Sequence, residues 1–270
     1  MSDLVHLDVD DATGVAWVVM NRPERRNALN RGLVRDLKQA FREADGDERV
    51  SAAVLAGSGP DFCAGADLAE IREAVEEGIT ANLADAESMG ELFVLLRGLE
   101  TPVIAAVHGR ALAGGSGLAA ACDMVVASSG AEFGFPEVTI GFVPAMVMAI
   151  LRRAVGEKQA FELVTTGDRI DAERAREVGL VNRVYPADDF DDRTEEFVED
   201  VASNSATAMA LTKKLLYQMD GQSFQSAIQA GAEMNALARL TEDCQEGIAR
   251  FLDECAGTAS DRAWCRPPGS

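Results

Sequence analysis

The chain reads as an α/β protein with an all-helical C-terminal appendage. Two observations predict this. Short apolar runs alternate with stretches of helical periodicity as far as Tyr185, and from about Asp188 onward the pattern is helical only. A third observation, the absence of any internal repeat or low-complexity linker, leaves the core as one continuous unit.

The elements follow in order. Leu4–Asp8 and Val15–Met20 flank Asp10-Asp11-Ala12-Thr13-Gly14, a hairpin signal. Asn30 is placed to cap a helix carrying Leu33, Val34, Leu37 and Phe41 at helical spacing. Ala52–Ala56 is a strand, and helices are expected over about 67–77 and 84–99. Thr101-Pro102 stops the second of these and opens the strand Val103–Val107. A short buried helix, Leu118–Ala121, precedes the strand Met124–Ala127. Glu132–Glu137 reads as a short strand and turn, and Pro144 opens a helix over Ala145–Ala154. Asp171 caps a further helix, and Asn182–Pro186 is the last short strand. Helices are then expected over about 193–202, 208–217, 224–240 and 242–254. The stretch from Gly257 to Ser270 lacks apolar periodicity and reads as a disordered tail.

Composition narrows the function. At 270 residues the chain fits one large domain, or a domain plus an appendage. The apolar runs are too short to span a bilayer, and the acidic N-terminus lacks the order of a signal peptide, so no membrane partner is expected. Five cysteines without a CxxC pair read as reduced thiols of a cytoplasmic protein. A formal net charge of −20 argues against nucleic acid as a partner. Basic charge concentrates in one place, at Arg22, Arg25 and Arg26, where an anionic small ligand could bind. No His, Cys, Asp or Glu cluster has metal-ligand spacing, so neither a metal nor a separate cofactor is expected.

The chemistry points to two turns. Asp61-Phe62-Cys63-Ala64-Gly65-Ala66-Asp67-Leu68 and Ala111-Leu112-Ala113-Gly114-Gly115-Ser116-Gly117 each follow an apolar strand and enter a helix. Gly and Ala at such turns expose backbone N–H groups at the positive end of a helix dipole. Two donors converging on one point would stabilise a developing oxyanion, such as that of a thioester. Cys63 reads as small buried filler, and His108 as a packed or hydrogen-bonded histidine. Ser116 lacks the later glycine of a nucleophile elbow. Met146, Met148 and Ile150 divide between core and ligand pocket.

Six pieces in order carry a resemblance over about residues 4–251. They are Asn21-Arg22-Pro23 with Asn27-Ala28-Leu29-Asn30, Phe62–Leu68, Pro102–Val107 with Gly109, Gly114-Gly115 with Ala121-Cys122-Asp123, Phe133-Gly134 with Pro136-Glu137 and Gly141, and Thr166-Gly167-Asp168 with Gly179-Leu180-Val181. The chain resembles the crotonase (enoyl-CoA hydratase/isomerase) superfamily. The resemblance implies a crotonase-type spiral of ββα units over residues 1–190, with a helical oligomerisation region over 191–256 that forms homotrimers or homohexamers. It implies an acyl-CoA thioester as substrate and oxyanion donors at the amides of Ala66 and Gly114. Arg25 or Arg26 would meet the CoA phosphates, and backbone near Ala64 and Ala66 the adenine. Ala28, Gly65, Asp67, Leu68 and Phe251 are counted with the CoA-binding set, although Asp67 also suits helix N-terminal charge.

Hydratases of the family typically use two glutamates. Here the second position is Glu137, while the first is occupied by Gly117. Glu137 is therefore the expected acid/base, with Glu87 or Glu91 next in line, and Gly117 favours double-bond isomerisation over hydration. A glutamate at 117 is expected to raise hydration if the pocket has room. The alternative is a non-catalytic CoA-binding regulatory or RNA-associated member of the family.

Overall fold

The computed structural model describes residues 3–257. Two compact units divide at Asn204 and Ser205. The first unit contains β1 (Val5–Asp10), β2 (Val15–Met20), α1 (Arg31–Asp45), β3 (Ala52–Gly57), α2 (Leu68–Glu77), α3 (Ile79–Gly98), β4 (Val103–Val107), β5 (Arg110–Leu112) and α4 (Gly114–Ala121). It continues through β6 (Met124–Ser128), β7 (Glu132–Gly134), α5 (Ala145–Ala154), α6 (Glu157–Thr166), β8 (Arg169–Asp171), α7 (Ala172–Glu177), β9 (Arg183–Tyr185) and α8 (Phe190–Ala202). The second unit is helical: α9 (Ala206–Gln218), α10 (Phe224–Ala238) and α11 (Glu242–Gly257).

A six-stranded sheet runs in the order β1-β2-β3-β4-β6-β9, and a three-stranded sheet in the order β5-β7-β8. In the large sheet only the β1–β2 hairpin is antiparallel. Successive turns of the chain place one strand in the large sheet and the next residues in the small one. Thus β4 leads to β5 and α4, and β6 leads to β7 and α5. Cys63, which follows β3, forms a parallel bridge to Ala111 of β5, and Leu29, which follows β2, forms one to Ala66. The ββα repeat therefore persists where its second strand has shrunk to one bridged residue.

Both faces of the large sheet are covered, as parallel sheets require. Ala53 and Leu55 of β3 face a core with Leu33, Leu37 and Phe41 of α1 and Leu92 and Leu96 of α3. Ala52 and Val54 face the other side, against Phe190, Val198 and Ala202 of α8. In this second layer α8 packs on β2, β3 and β6, and the first unit includes it, running to Asn204.

Local signals hold at the helix starts. The side chains of Asn30, Asp67 and Asp171 accept hydrogen bonds from the N–H groups of Leu33, Ala69 and Arg174. Three elements were not read from sequence: α6, and the three-residue strands β5 and β8. The tail assigned to 257–270 lies, from residue 258 on, outside the described residues.

Candidate active site

The small sheet aligns three turns. Cys63 N–H donates to Arg110 O (3.0 Å) and Leu112 N–H to Cys63 O (2.9 Å), which fixes Cys63 opposite Ala111. Ala111 in turn lies opposite Phe133 of β7. Three residues beyond Cys63 stands Ala66, three beyond Ala111 stands Gly114, and four beyond Phe133 stands Glu137. The register thus delivers all three to the carboxyl end of the small sheet, where they line one cavity of about 260 Å³.

Two glycines make this approach possible. Gly65 has φ +96°, and a Cβ there would fall 2.8 Å from Leu112 O and 2.9 Å from Ala113 Cβ. A Cβ on Gly115 would fall 2.2 Å from Cys63 O. The amides of the two turns then lie close together: a methyl placed on Gly114 would be 3.8 Å from Ala66 N. Leu29 N–H donates to Gly65 O (2.7 Å) and Asp67 N–H to Leu29 O (2.9 Å). In a parallel bridge this pattern turns the Ala66 amide away from Leu29. Gly114 is the first residue of α4, so its N–H has no intrahelical acceptor. Just before it Ala113 sits at φ 52°, ψ −123°, a conformation disfavoured for a residue with a Cβ, and is held there by donation to Gly134 O (2.8 Å).

Glu137 is the second residue of a short 3-10 helix, Pro136–Ile140. It is 7% exposed, and its Oε2 is buried without a hydrogen-bond partner. Burial pushes its carboxyl above the usual range, opposed in part by its own backbone N–H. It is the sole ionisable side chain among the described residues lining the cavity. Apart from Thr139, whose hydroxyl donates to Pro136 O (2.7 Å), the rest of the lining is apolar and includes Leu68, Ile71, Met89, Phe93, Ile140, Phe142 and Met146. Phe133 and Phe135, which flank this segment in sequence, belong to the core. Of the three uncertain residues on α5, Met146 lines the cavity, while Met148 and Ile150 pack in the core.

Gly117 faces α5. A Cβ on it would fall 2.5 Å from Val147 Cγ2 and 3.3 Å from Val147 Cβ. The room that a glutamate at 117 would need is therefore absent, because of a packing contact thirty positions away in sequence. Glu87 and Glu91 do not line the cavity. Glu91 pairs with Lys38 (2.9 Å), and Glu87 is exposed.

The basic cluster divides. Arg22 is committed to Asp67 (2.7 Å) and to Ala28 O (2.9 Å). Burial works to raise the Asp67 carboxyl, but Arg22 and the Ala69 N–H outweigh it and hold it below the usual carboxylate range. Asp67 thus acts as helix cap and ion-pair partner. Arg25 and Arg26 remain exposed, with Arg26 Nε 3.7 Å from Asp61. Ala64 lines the cavity while its N–H donates to Arg26 O (3.0 Å). Gly65 is buried, Ala28 is half-buried and Leu68 is exposed on the first turn of α2. Phe251 lies on α11 in the second unit.

Cys63 is fully buried, its Sγ donating to Asn27 O (3.1 Å), and desolvation pushes its thiol up to about 12. Ser116 is equally buried; its hydroxyl donates to Ala111 O (2.6 Å) and accepts from Gly134 N–H (3.2 Å), pinning β5 to β7. The His108 ring Nε2 is 2.8 Å from Gly59 O. Sequence reading missed Val147, Met89 and Phe93 as pocket residues. The i, i+4 spacing of Met89 and Phe93 was a usable signal.

The chain matches the enoyl-CoA hydratase/isomerase family model over residues 10–257. It belongs to that family. A Thermus thermophilus protein provisionally named an enoyl-CoA hydratase is 42% identical over 240 residues, covering 89% of this chain and 95% of that one. The 2,3-dehydroadipyl-CoA hydratase of Escherichia coli is 35% identical, covering 94% and 97%. The crystal structure of an enoyl-CoA hydratase from Mycobacterium smegmatis superposes with a TM-score of 0.89 at 34% identity, covering 94% of this chain and 97% of that one. The fold is accordingly the crotonase spiral.

Proposed function

We propose that this family member processes acyl-CoA thioesters with a single carboxylate, and that its favoured reaction moves a double bond from C3 to C2. The thioester carbonyl is held by the Ala66 and Gly114 amides. Glu137 removes a proton from C2, the electrons pass into the carbonyl as an enolate, and Glu137 returns the proton at C4. Each amide donor aimed at the enolate oxygen supports roughly 3–4 kcal/mol of transition-state stabilisation. The observation that carries this reading is Glu137: a buried carboxylate, its Oε2 without a hydrogen-bond partner, in a mostly apolar cavity shared with the two amides. Its raised affinity for protons suits a group that must both take and give one near neutrality. Arg25 and Arg26 supply the exposed positive charge for the CoA phosphates.

Hydration of 2-enoyl-CoA is the second reading, favoured by the names of the relatives. It needs a water activated and a C2 proton delivered by the same carboxylate, since Val147 occupies the place beside Gly117. Incubation with 3-enoyl-CoA and with trans-2-enoyl-CoA in separate reactions decides between them. Isomerisation raises the absorbance of the conjugated thioester at constant mass; hydration lowers it and adds one water. Conversion of neither substrate overturns both readings.

A further inference from the structure

The cavity that holds Glu137 has a neighbour. A second hollow of about 160 Å³ lies among α1, α2 and α3, and Ala66, Ile71, Met89, Phe142 and Met146 line both spaces. The inner wall of the second hollow is apolar and closed: Leu29, Val34 and Ala74 are all buried. At roughly 30 Å³ for each small group, it has room for about five methylene-sized units.

Met89 and Met146 are the two methionines of this shared wall. Methionine is unbranched and has three rotatable bonds, so such a wall opens without moving backbone. Opposite Met146 stands Gly90, where a Cβ would come within 3.5 Å of the Met146 sulfur. Helix α3 thus presents no side chain at the point where the thioether rests.

The charged lining of the hollow is one-sided. Among the described residues Arg31 is its single cationic lining residue, against Asp67, Glu70 and Asp85. Arg31 is already engaged, its guanidinium with Asp85 (3.1 Å) and Glu77 (3.0 Å), while its backbone N–H donates to Glu70 (2.8 Å). An arriving carboxylate would meet like charge and find no unpaired cation in the lining.

We propose that this second hollow receives the tail of a medium-length acyl chain, which pushes Met89 and Met146 apart, and that it accepts an uncharged tail and rejects a terminal carboxylate. The inference rests on the acyl-CoA reading above. Each methylene taken from water is worth about fourfold in affinity, so the preference grows with length until the hollow is full.

The test is kcat/KM across enoyl-CoA thioesters of four to ten carbons, with a ten-carbon thioester bearing a terminal carboxylate alongside. The expected result is at least a tenfold preference for the ten-carbon over the four-carbon thioester, and at least a tenfold loss when the carboxylate is added. Ala74→Phe, which fills the hollow from its inner wall, should abolish the preference for length. Ala86→Phe does the same from the more exposed wall and serves if thermal melting shows Ala74→Phe to be unfolded. A flat length profile, or variants that lower four- and ten-carbon turnover equally, overturns the tail site and leaves the acyl-CoA reading standing. Equal turnover of the carboxylated thioester overturns the charge selection. Failure to turn over any length, as either double-bond isomer, overturns the acyl-CoA reading and this inference with it.

Discussion

Gly117 offers a perturbation whose sign depends on one contact. It sits within α4, so Gly117→Ala gains about 1 kcal/mol of helix propensity. The new methyl would meet Val147 Cγ2 at 2.5 Å, where ordinary contact begins near 3.4 Å. Val147 is buried on α5, and forcing extra volume into such packing costs about 1–3 kcal/mol. The sum runs from neutral to about 2 kcal/mol destabilising, a fall in Tm of up to about 8 °C for a chain of this size. In a Val147→Ala background the obstructing methyls are gone, and the same substitution should instead raise Tm by about 2–4 °C. The assay is a thermal melt of all four members of the cycle. If Gly117→Ala shifts Tm equally in both backgrounds, within about 0.5 kcal/mol, Gly117 and Val147 do not couple and the packing argument fails. The same contact governs catalysis. Gly117→Glu alone should destabilise without raising hydration, whereas Gly117→Glu with Val147→Gly gives a second carboxylate room.

Glu137→Gln keeps the shape of the side chain but cannot accept a proton; turnover should fall roughly 100-fold, read as kcat with CoA-ester binding retained. The same variant has a stability signature. Burial places the folded pKa of Glu137 above its unfolded value, so between the two the unfolded chain has released a proton that the folded chain still holds. Wild-type stability therefore falls as pH rises through that window and then levels, and Glu137→Gln should be the more stable protein above it, measured by urea titration at stepped pH. Gly114→Pro removes one amide donor at the first position of a helix, where proline is tolerated; turnover should drop by about 10²–10³-fold while far-UV circular dichroism is retained. The exposed apolar residues Ile79 (83%), Val94 (73%) and Phe224 (84%) predict assembly, with a molar mass by light scattering of three or six times 28.7 kDa; a monomer at micromolar concentration refutes it.

Residues whose signals are local were legible in sequence. The capping residues Asn30 and Asp171, Pro144 before α5, and the alternating strand runs are decided by neighbours within four or five positions. The small sheet was not legible, because Cys63, β5 and β8 are too short to show a period and are set by pairing across the fold. Gly114-Gly115-Ser116-Gly117 read as a turn by propensity, yet it is the start of α4. The glycines there answer to space and not to a turn, since Cys63 O and Val147 leave no room for side chains at 115 and 117. Glu137 and the absence of a second glutamate were legible in the motif, whereas the buried Oε2 without a hydrogen-bond partner and the Val147 contact are set by the fold.

Cys63 lends the site a chemical quietness. Conjugated enoyl thioesters are electrophiles at C3, and a nearby thiolate would add to them. The Cys63 sulfur stands three residues before Ala66, yet burial pushes its thiol up to about 12, which keeps it protonated at pH 7. Its proton is further tied to the Asn27 carbonyl. The chain therefore uses this sulfur as packing volume, fully buried and not among the described residues lining the cavity, where an electrophilic thioester would not reach it.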